Sequence, residues 1–259
     1  LLEEFIVEYH YDKNKISQHH ILAEFYLGKQ LHKYAEIKLQ DGVEIIQKQK
    51  IKDNKYYLDA FHFFSNQYEI SSIQNRNTLQ YVNEINHHLN IYYVIELLKN
   101  ATQTSSIKAL NSEVTENILL EPILNYLPKS ELLSNPLINI YYQTYILINN
   151  DDEVNFDNLV KNLKKYENLF SFIDINNLYK IIINYCVKKH NQNIIKYRIA
   201  GFELYIYALN KKFLYDYEHI TRFIFSNVVT LGIRLNRLKD VEKFIKKYNI
   251  YIESEFRAI

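Results

Sequence analysis

The single cysteine, Cys186, is the residue with the most reactive side chain, and it stands in the segment IIINYCVKK. A nucleophilic cysteine needs a partly exposed, electropositive setting and a base within reach. His190 follows four residues later, where a helix would bring it to the same side, and Lys188 and Lys189 add positive charge. The surrounding Ile and Val residues are instead typical of a buried helix face. We therefore predict that the Cys186 thiol packs in the core.

The histidines and glycines form no motif for a metal or a nucleotide. His20 and Glu24 are four residues apart, and His87 and His88 precede an aromatic run, but the chain has no H-E-x-x-H sequence. One cysteine cannot complete a zinc site or form an internal disulfide. None of the four glycines stands in a G-x-G-x-x-G or G-x-x-x-x-G-K frame. We expect no catalytic residues, no metal and no cofactor, and so a protein that is not an enzyme.

The hydrophobic pattern predicts an all-α protein. The chain has 259 residues, of which 47% are hydrophobic, and only 4 are Gly and 3 are Pro. Apolar residues recur at three- and four-residue steps, and strict alternation over the length of a strand is rare. The predicted helices cover residues 1–10, 17–28, 30–49, 54–73, 77–101, 113–127, 136–149, 154–170, 176–190, 193–210, 218–235 and 238–249.

Composition also favours a soluble cytoplasmic protein. No uninterrupted run of about 18 apolar residues occurs, so we expect no membrane span. The first ten residues, LLEEFIVEYH, carry acidic side chains where a signal peptide would carry basic ones. A single cysteine fits a reducing compartment.

The clearest break along the chain is the segment LPKSELLSNPL. Pro128 and Pro136 bracket it, and Ser134 or Asn135 can cap the helix that follows. We place a soft subdivision here, between residues 1–128 and 129–259 of one continuous chain of helical hairpins. Further on, Asp151 and Asp152 follow two asparagines at a predicted helix start, where carboxylates complement the helix dipole.

A helix, turn, helix rhythm follows the break. It recurs in NIYYQTYILINNDDEVNFDNLVKNLKKY, NLYKIIINYCVKKHNQNIIKYRIAGFELY and FSNVVTLGIRLNRLKDVEKFIKKY. Asn184 and Asn227 hold similar places before their turns, and the same step of about 43 residues backwards reaches Tyr141. Such a period predicts stacked helical hairpins, because one hairpin cannot bury its apolar face alone. An irregular helical bundle is the alternative.

The last of these segments, residues 225–248, resembles a tetratricopeptide repeat, and the match is weaker over 136–210. The family has an opening aromatic residue, a groove-facing polar residue, a hydrophobic residue, a turn, a first anchor of the second helix, a small residue and a late anchor. In chain order these places are taken by Phe225, Asn227, Val228, Asn236, Leu238, Val241 and Ile245.

The match to the tetratricopeptide family is partial. Val229 and Val241 stand where the family prefers small residues, Glu253 replaces the closing proline, and the period exceeds 34 residues. We expect the two valines to push the helices of this hairpin apart.

The resemblance implies a right-handed α-solenoid of about 10–12 helices that binds a protein or peptide on a concave face lined by first helices. Asn and Arg suit this task, because an amide both donates and accepts, and a guanidinium forks onto a carboxylate. Asn184 and Asn227 could instead bond between helices and hold the stack. The expected partner-binding residues are Asn184, Lys188, Ser226, Asn227, Thr230 and Arg234.

Charge is distributed unevenly along the chain. The formal net charge is +1, yet residues 176–259 carry about +8 and the preceding residues about −7. A basic C-terminal half rich in tyrosine is typical of proteins that bind nucleic acid through phosphate contacts and stacking. Nucleic-acid binding is therefore our alternative function, and solvated outer helix faces are the simpler explanation of the charge.

Overall fold

The computed structural model describes residues 15–108, 117–150, 155–216 and 218–252, and within these ranges the protein is all-α. The all-α prediction is confirmed. The predicted helix over 1–10, the start of the one over 113–127, and Asp151 and Asp152 lie outside the described residues. Eleven α-helices occur in the described ranges: α1 Lys15–Gly28, α2 His32–Lys48, α3 Asn54–Ile73, α4 Leu79–Lys108, α5 Leu120–Tyr126, α6 Pro136–Asn150, α7 Phe156–Tyr166, α8 Phe172–Asn191, α9 Ile195–Asn210, α10 Arg222–Arg234 and α11 Leu238–Tyr248.

The chain divides into two compact units, Leu1–Leu169 and Phe170–Ile259. The soft subdivision predicted at 128/129 falls inside the first of them. In the first unit, α1 packs on α2, α2 on α3, α3 on α4, α4 on α6 and α6 on α7. Phe63, Leu98 and Ile138 are fully buried in its core. Neighbouring helices along the chain are therefore mostly neighbours in space, as in a series of hairpins.

Side-chain caps fix where two helices of the first unit begin. The carboxylate of Asp53 accepts a hydrogen bond from the backbone N–H of Tyr56 at 2.8 Å, which starts α3. In the same way, Oδ1 of Asn135 accepts from the N–H of Leu137 at 3.0 Å and starts α6, whose first residue is Pro136. Of the two caps expected from the sequence at this break, Asn135 is the one used.

The second unit contains two helical hairpins, α8–α9 and α10–α11. Asn193 turns the first with φ 65° and Asn236 turns the second with φ 56°. Asparagine tolerates this left-handed conformation, which ends helices because it lets the following N–H reach back. Here Ile194 N–H donates to the carbonyl of Lys189, and Arg237 N–H to that of Gly232. The turns are 43 residues apart, the step predicted from the sequence.

The structure corrects the predicted anchors of α11. Leu238 and Ile245, expected to pack against α10, are 58% and 38% exposed, whereas Val241, Phe244 and Tyr248 are buried. The buried residues are three and four positions apart and form one apolar stripe along α11. Leu238 and Ile245 lie at the edge of this stripe, next to solvent.

The expected separation of α10 from α11 by two valines is also corrected. Val241 does face α10, but the residue opposite it is Gly232, whose missing side chain makes room for the valine methyl groups. Val229 is only half-buried. Phe225 packs its ring on Phe244, with 5.1 Å between centroids. A close contact between helices requires a small residue. Here that residue is Gly232, three positions after Val229, where the family prefers a small side chain.

Candidate functional site

The residues predicted to bind a partner lie on the first helices of the two hairpins. On α8, Asn184 and Lys188 are four residues apart and exposed. On α10, Ser226, Thr230 and Arg234 are exposed and follow each other at four-residue steps. Residues four apart on a helix share one side, so each first helix presents a polar stripe to solvent.

Asn227 makes a contact between helices. Its amide nitrogen donates to the hydroxyl oxygen of Tyr205 at 3.0 Å, which joins α10 to α9 of the preceding hairpin. Burial raises the pKa of Tyr205, so its hydroxyl stays protonated. This bond is the alternative use of Asn227 considered from the sequence.

The structure brings Arg234 to the end of α8. Its guanidinium Nη1 lies 2.7 Å from Nε2 of His190, and Nε of Arg198 donates to Nδ1 of the same ring at 3.0 Å. Burial, then the charges of Arg198 and Arg234, lower the pKa of His190, so the ring is held neutral. No local sequence pattern links residues 44 positions apart, so this cluster was not predicted.

Apolar side chains are exposed beside the polar stripe of α10. Phe223 is 81% exposed and stands three residues before Ser226, and Ile233 is more than half exposed three residues after Thr230. Helical spacing therefore places Phe223, Ser226 and Thr230 on the same side of α10. The sequence prediction selected polar residues and missed Phe223, although an aromatic residue in the first turn of a helix was a usable signal.

The prediction that Cys186 is buried is confirmed. Its side chain is fully enclosed, and burial raises the pKa of the thiol to about 12. A thiol with that pKa is protonated at neutral pH and is a poor nucleophile. His190, the base considered from the sequence, has both ring nitrogens directed at guanidinium groups instead.

A cavity of about 530 Å³ opens in the first unit between α2, α3 and α4. Phe64 and Tyr56 supply aromatic walls, and Lys52, Glu84 and His88 supply charged or polar groups. The volume lies within the range of small-molecule sites, but most of the lining side chains are polar, whereas such sites are mainly apolar. The carboxylate and the ammonium group give the cavity both signs of charge.

His88, which lines this cavity, makes a hydrogen bond to the backbone of its own helix. Its Nδ1 lies 2.8 Å from the carbonyl oxygen of Glu84, which can only accept, so Nδ1 carries the proton and Nε2 has a free lone pair. Burial is the largest cause of a lowered pKa of His88, so the ring stays neutral. His88 can therefore accept a hydrogen bond from a ligand.

Acidification is expected to destabilise the protein. The pKa values of His20, His88 and His190 all lie below the usual 6.5, and burial is the largest cause at each. As the pH falls below about 6.5, the unfolded chain binds protons before the folded chain does, so the free energy of unfolding decreases. For each unit by which folding lowers a histidine pKa, the free energy of unfolding decreases by up to about 1.4 kcal/mol once the pH reaches the pKa in the folded protein.

Urea unfolding at about pH 7.5 and about pH 5.5, with an NMR titration of the histidine C2 protons, measures this effect. We expect a lower midpoint at the acidic pH and three rings that titrate below 6.5. Equal midpoints, or three rings that titrate at or above their usual value, would contradict the expectation.

Neither a metal cluster nor a membrane span occurs in the part of the chain that the structure describes. Within it, no three histidine, cysteine, aspartate or glutamate side chains are grouped to hold a metal ion. No helix there combines the length and the apolar character that crossing a bilayer requires.

Comparison of the chain with protein-family models, with curated proteins and with solved structures found no match.

Proposed function

We propose that the second unit is a non-enzymatic, tetratricopeptide-like scaffold that binds another protein through the exposed sides of α8 and α10. The observation that carries the proposal is Phe223, which is 81% exposed beside three of the predicted binding residues. Two hairpins with the same turn, 43 residues apart, support a repeat in which α8 and α10 are the equivalent first helices. In such a repeat the first helices line the concave side of a right-handed solenoid.

The exposed phenylalanine favours a protein partner on energetic grounds. Moving a phenylalanine side chain from water into an apolar pocket stabilises a complex by about 1.5–3 kcal/mol. Aromatic anchors surrounded by polar groups are the usual centres of protein interfaces. Ser226 and Thr230, on the same side of α10, can supply hydrogen bonds around such an anchor.

The charge of this unit indicates the chemistry of the partner. Residues 176–259 carry about +8, and Lys188 and Arg234 stand exposed on α8 and α10. Charge complementarity accelerates association and sets the orientation of the partner. We therefore propose that the partner contributes a segment with an apolar side chain for Phe223 and acidic residues for these cations.

Substituting the exposed stripe is expected to remove the partner. Phe223→Ser and Arg234→Glu should each reduce the amount of partner retained from a native lysate by at least about tenfold, since an interface anchor contributes about 2 kcal/mol or more. Quantitative mass spectrometry of the retained proteins measures this. Ile195→Ser is the matched control. Ile195 is 61% exposed but lies on α9, the second helix of its hairpin, so this variant should retain the partner.

Three results would contradict the proposal. The wild-type protein could retain no protein reproducibly, or Ile195→Ser could lose the partner as fully as Phe223→Ser. The third is self-association, which light scattering detects as a doubled mass that Phe223→Ser abolishes. A fluorescence anisotropy titration with labelled RNA and DNA separates the nucleic-acid alternative, because phosphate contacts weaken steeply with salt.

A further inference from the structure

At the contact between the two hairpins of the second unit, one histidine and two arginine side chains form a cluster. His190, at the end of α8, is only 4% exposed. Nε of Arg198 lies 3.0 Å from its Nδ1, and Nη1 of Arg234 lies 2.7 Å from its Nε2. Nη1 of Arg198 also donates to the backbone carbonyl of Arg234 at 3.4 Å. The three side chains thus form one cluster, although they come from α8, α9 and α10.

This cluster has more hydrogen-bond donors than acceptors. A neutral imidazole has one N–H and one lone pair, and a guanidinium has donors only. His190 can therefore accept from one arginine, and at its other nitrogen two N–H groups face each other. Protonation of the ring would make both nitrogens donors. Whatever the tautomer, the cluster lacks one acceptor.

The carboxylates nearby are engaged elsewhere. Nε of Arg237 pairs with the carboxylate of Asp240 at 2.8 Å, and its Nη1 lies 3.7 Å from the carboxylate of Glu203. Among the described residues, no carboxylate lies within ion-pair distance of Arg198 or Arg234. Of Arg198, Arg234 and Arg237, only Arg237 therefore has acidic partners among the described residues.

The helix ends do not cancel the positive charge of the cluster. α8 and α10 both end here, and each helix C-terminus carries a negative partial charge equivalent to about half an elementary charge. Two guanidinium groups outweigh two such ends.

We propose that His190, Arg198 and Arg234 form a binding site for a phosphate-type oxyanion. A tetrahedral oxyanion accepts several hydrogen bonds at once, and guanidinium groups match its oxygen atoms in pairs. It would supply the missing acceptor and neutralise the excess charge. Because the donors come from both hairpins, the bound anion would also hold α8–α9 against α10.

Anion binding is measured by thermal unfolding and calorimetry of the purified protein with inorganic phosphate, against chloride at equal ionic strength. We expect a saturable rise of the unfolding temperature in phosphate, since a ligand bound to the folded state alone stabilises it. Arg198→Gln and Arg234→Gln should each weaken phosphate binding by at least about tenfold, a loss typical of a charged hydrogen bond. Free phosphoserine in place of phosphate tests whether a phosphate ester is preferred.

Lys243→Gln is the matched control for the removal of one positive charge. Lys243 is exposed on α11, outside the cluster, and its variant should bind phosphate like the wild type. Far-UV circular dichroism confirms that the arginine variants are folded. A phosphate response that does not saturate, or one that Lys243→Gln reduces as much as Arg198→Gln, would overturn the site. Because no protein partner is present, this result is independent of the proposed scaffold function.

Discussion

Replacing Phe63 by alanine is expected to lower the free energy of unfolding of the first unit by about 3–5 kcal/mol. Phe63 is fully buried in α3, and its ring lies directly over Gly42 of α2. Removal of the ring loses its burial and leaves a cavity, because Gly42 has no side chain that could fill the space. Lost burial and the new cavity both destabilise the protein, so we expect no compensating gain.

Urea unfolding of Phe63→Ala and Phe223→Ala tests this directly. The two variants lose the same atoms, but Phe223 is 81% exposed, and its substitution should change the free energy of unfolding by no more than about 0.5 kcal/mol. Similar losses in both variants would show that burial at Phe63 does not determine its contribution.

Helix positions in the described residues could be predicted largely from local sequence. The prediction of 54–73 agrees with Asn54–Ile73, and 136–149 agrees with Pro136–Asn150 to one residue. Both helices have apolar residues at three- and four-residue steps and a polar cap immediately before them. The turn predicted at Asn236 is also present, and asparagine accepts the positive φ found there. These features depend on neighbours along the chain.

Helix faces were harder to predict, because a face depends on the partner helix. Leu238 and Ile245 are apolar and correctly spaced, yet they are exposed, since the buried stripe of α11 is centred on Val241 and Tyr248. An apolar residue at the edge of a stripe has the same local pattern as one at its centre. Only the packing of α10 on α11 decides between them.

The candidate site shows the same limit. The tetratricopeptide resemblance implied that Ser226, Thr230 and Arg234 face solvent, and they are exposed. The contact of Arg234 with His190, however, joins residues 44 positions apart. Its presence depends on how the hairpins meet. The roles of the predicted residues in partner binding stay predictions, and the oxyanion cluster adds a chemical property that composition alone does not reveal.

Replacing Gly232 by alanine is expected to destabilise the second unit by about 1–2 kcal/mol. In an open helix this substitution would stabilise by about 1 kcal/mol, because alanine is the better helix former. At Gly232, however, the new methyl group would overlap Val241 and lie 2.9 Å from Cε2 of Phe202. Forcing extra volume into a packed seam costs about 1–3 kcal/mol and occasionally more, and an overlap with both Val241 and Phe202 belongs in the upper part of that range, about 2–3 kcal/mol. The steric cost is therefore larger than the helical gain.

Two companion variants make the Gly232 prediction specific. Val241→Ala removes the methyl groups that the new side chain meets, so the double variant Gly232→Ala/Val241→Ala should lose less stability than the two single losses together, with a coupling of about 0.5–3 kcal/mol. Gly28→Ala is the control, because nothing lies within 4 Å of its added carbon, and it should be neutral or slightly stabilising. Additive losses in the double variant would mean that α10 does not approach α11 through Gly232.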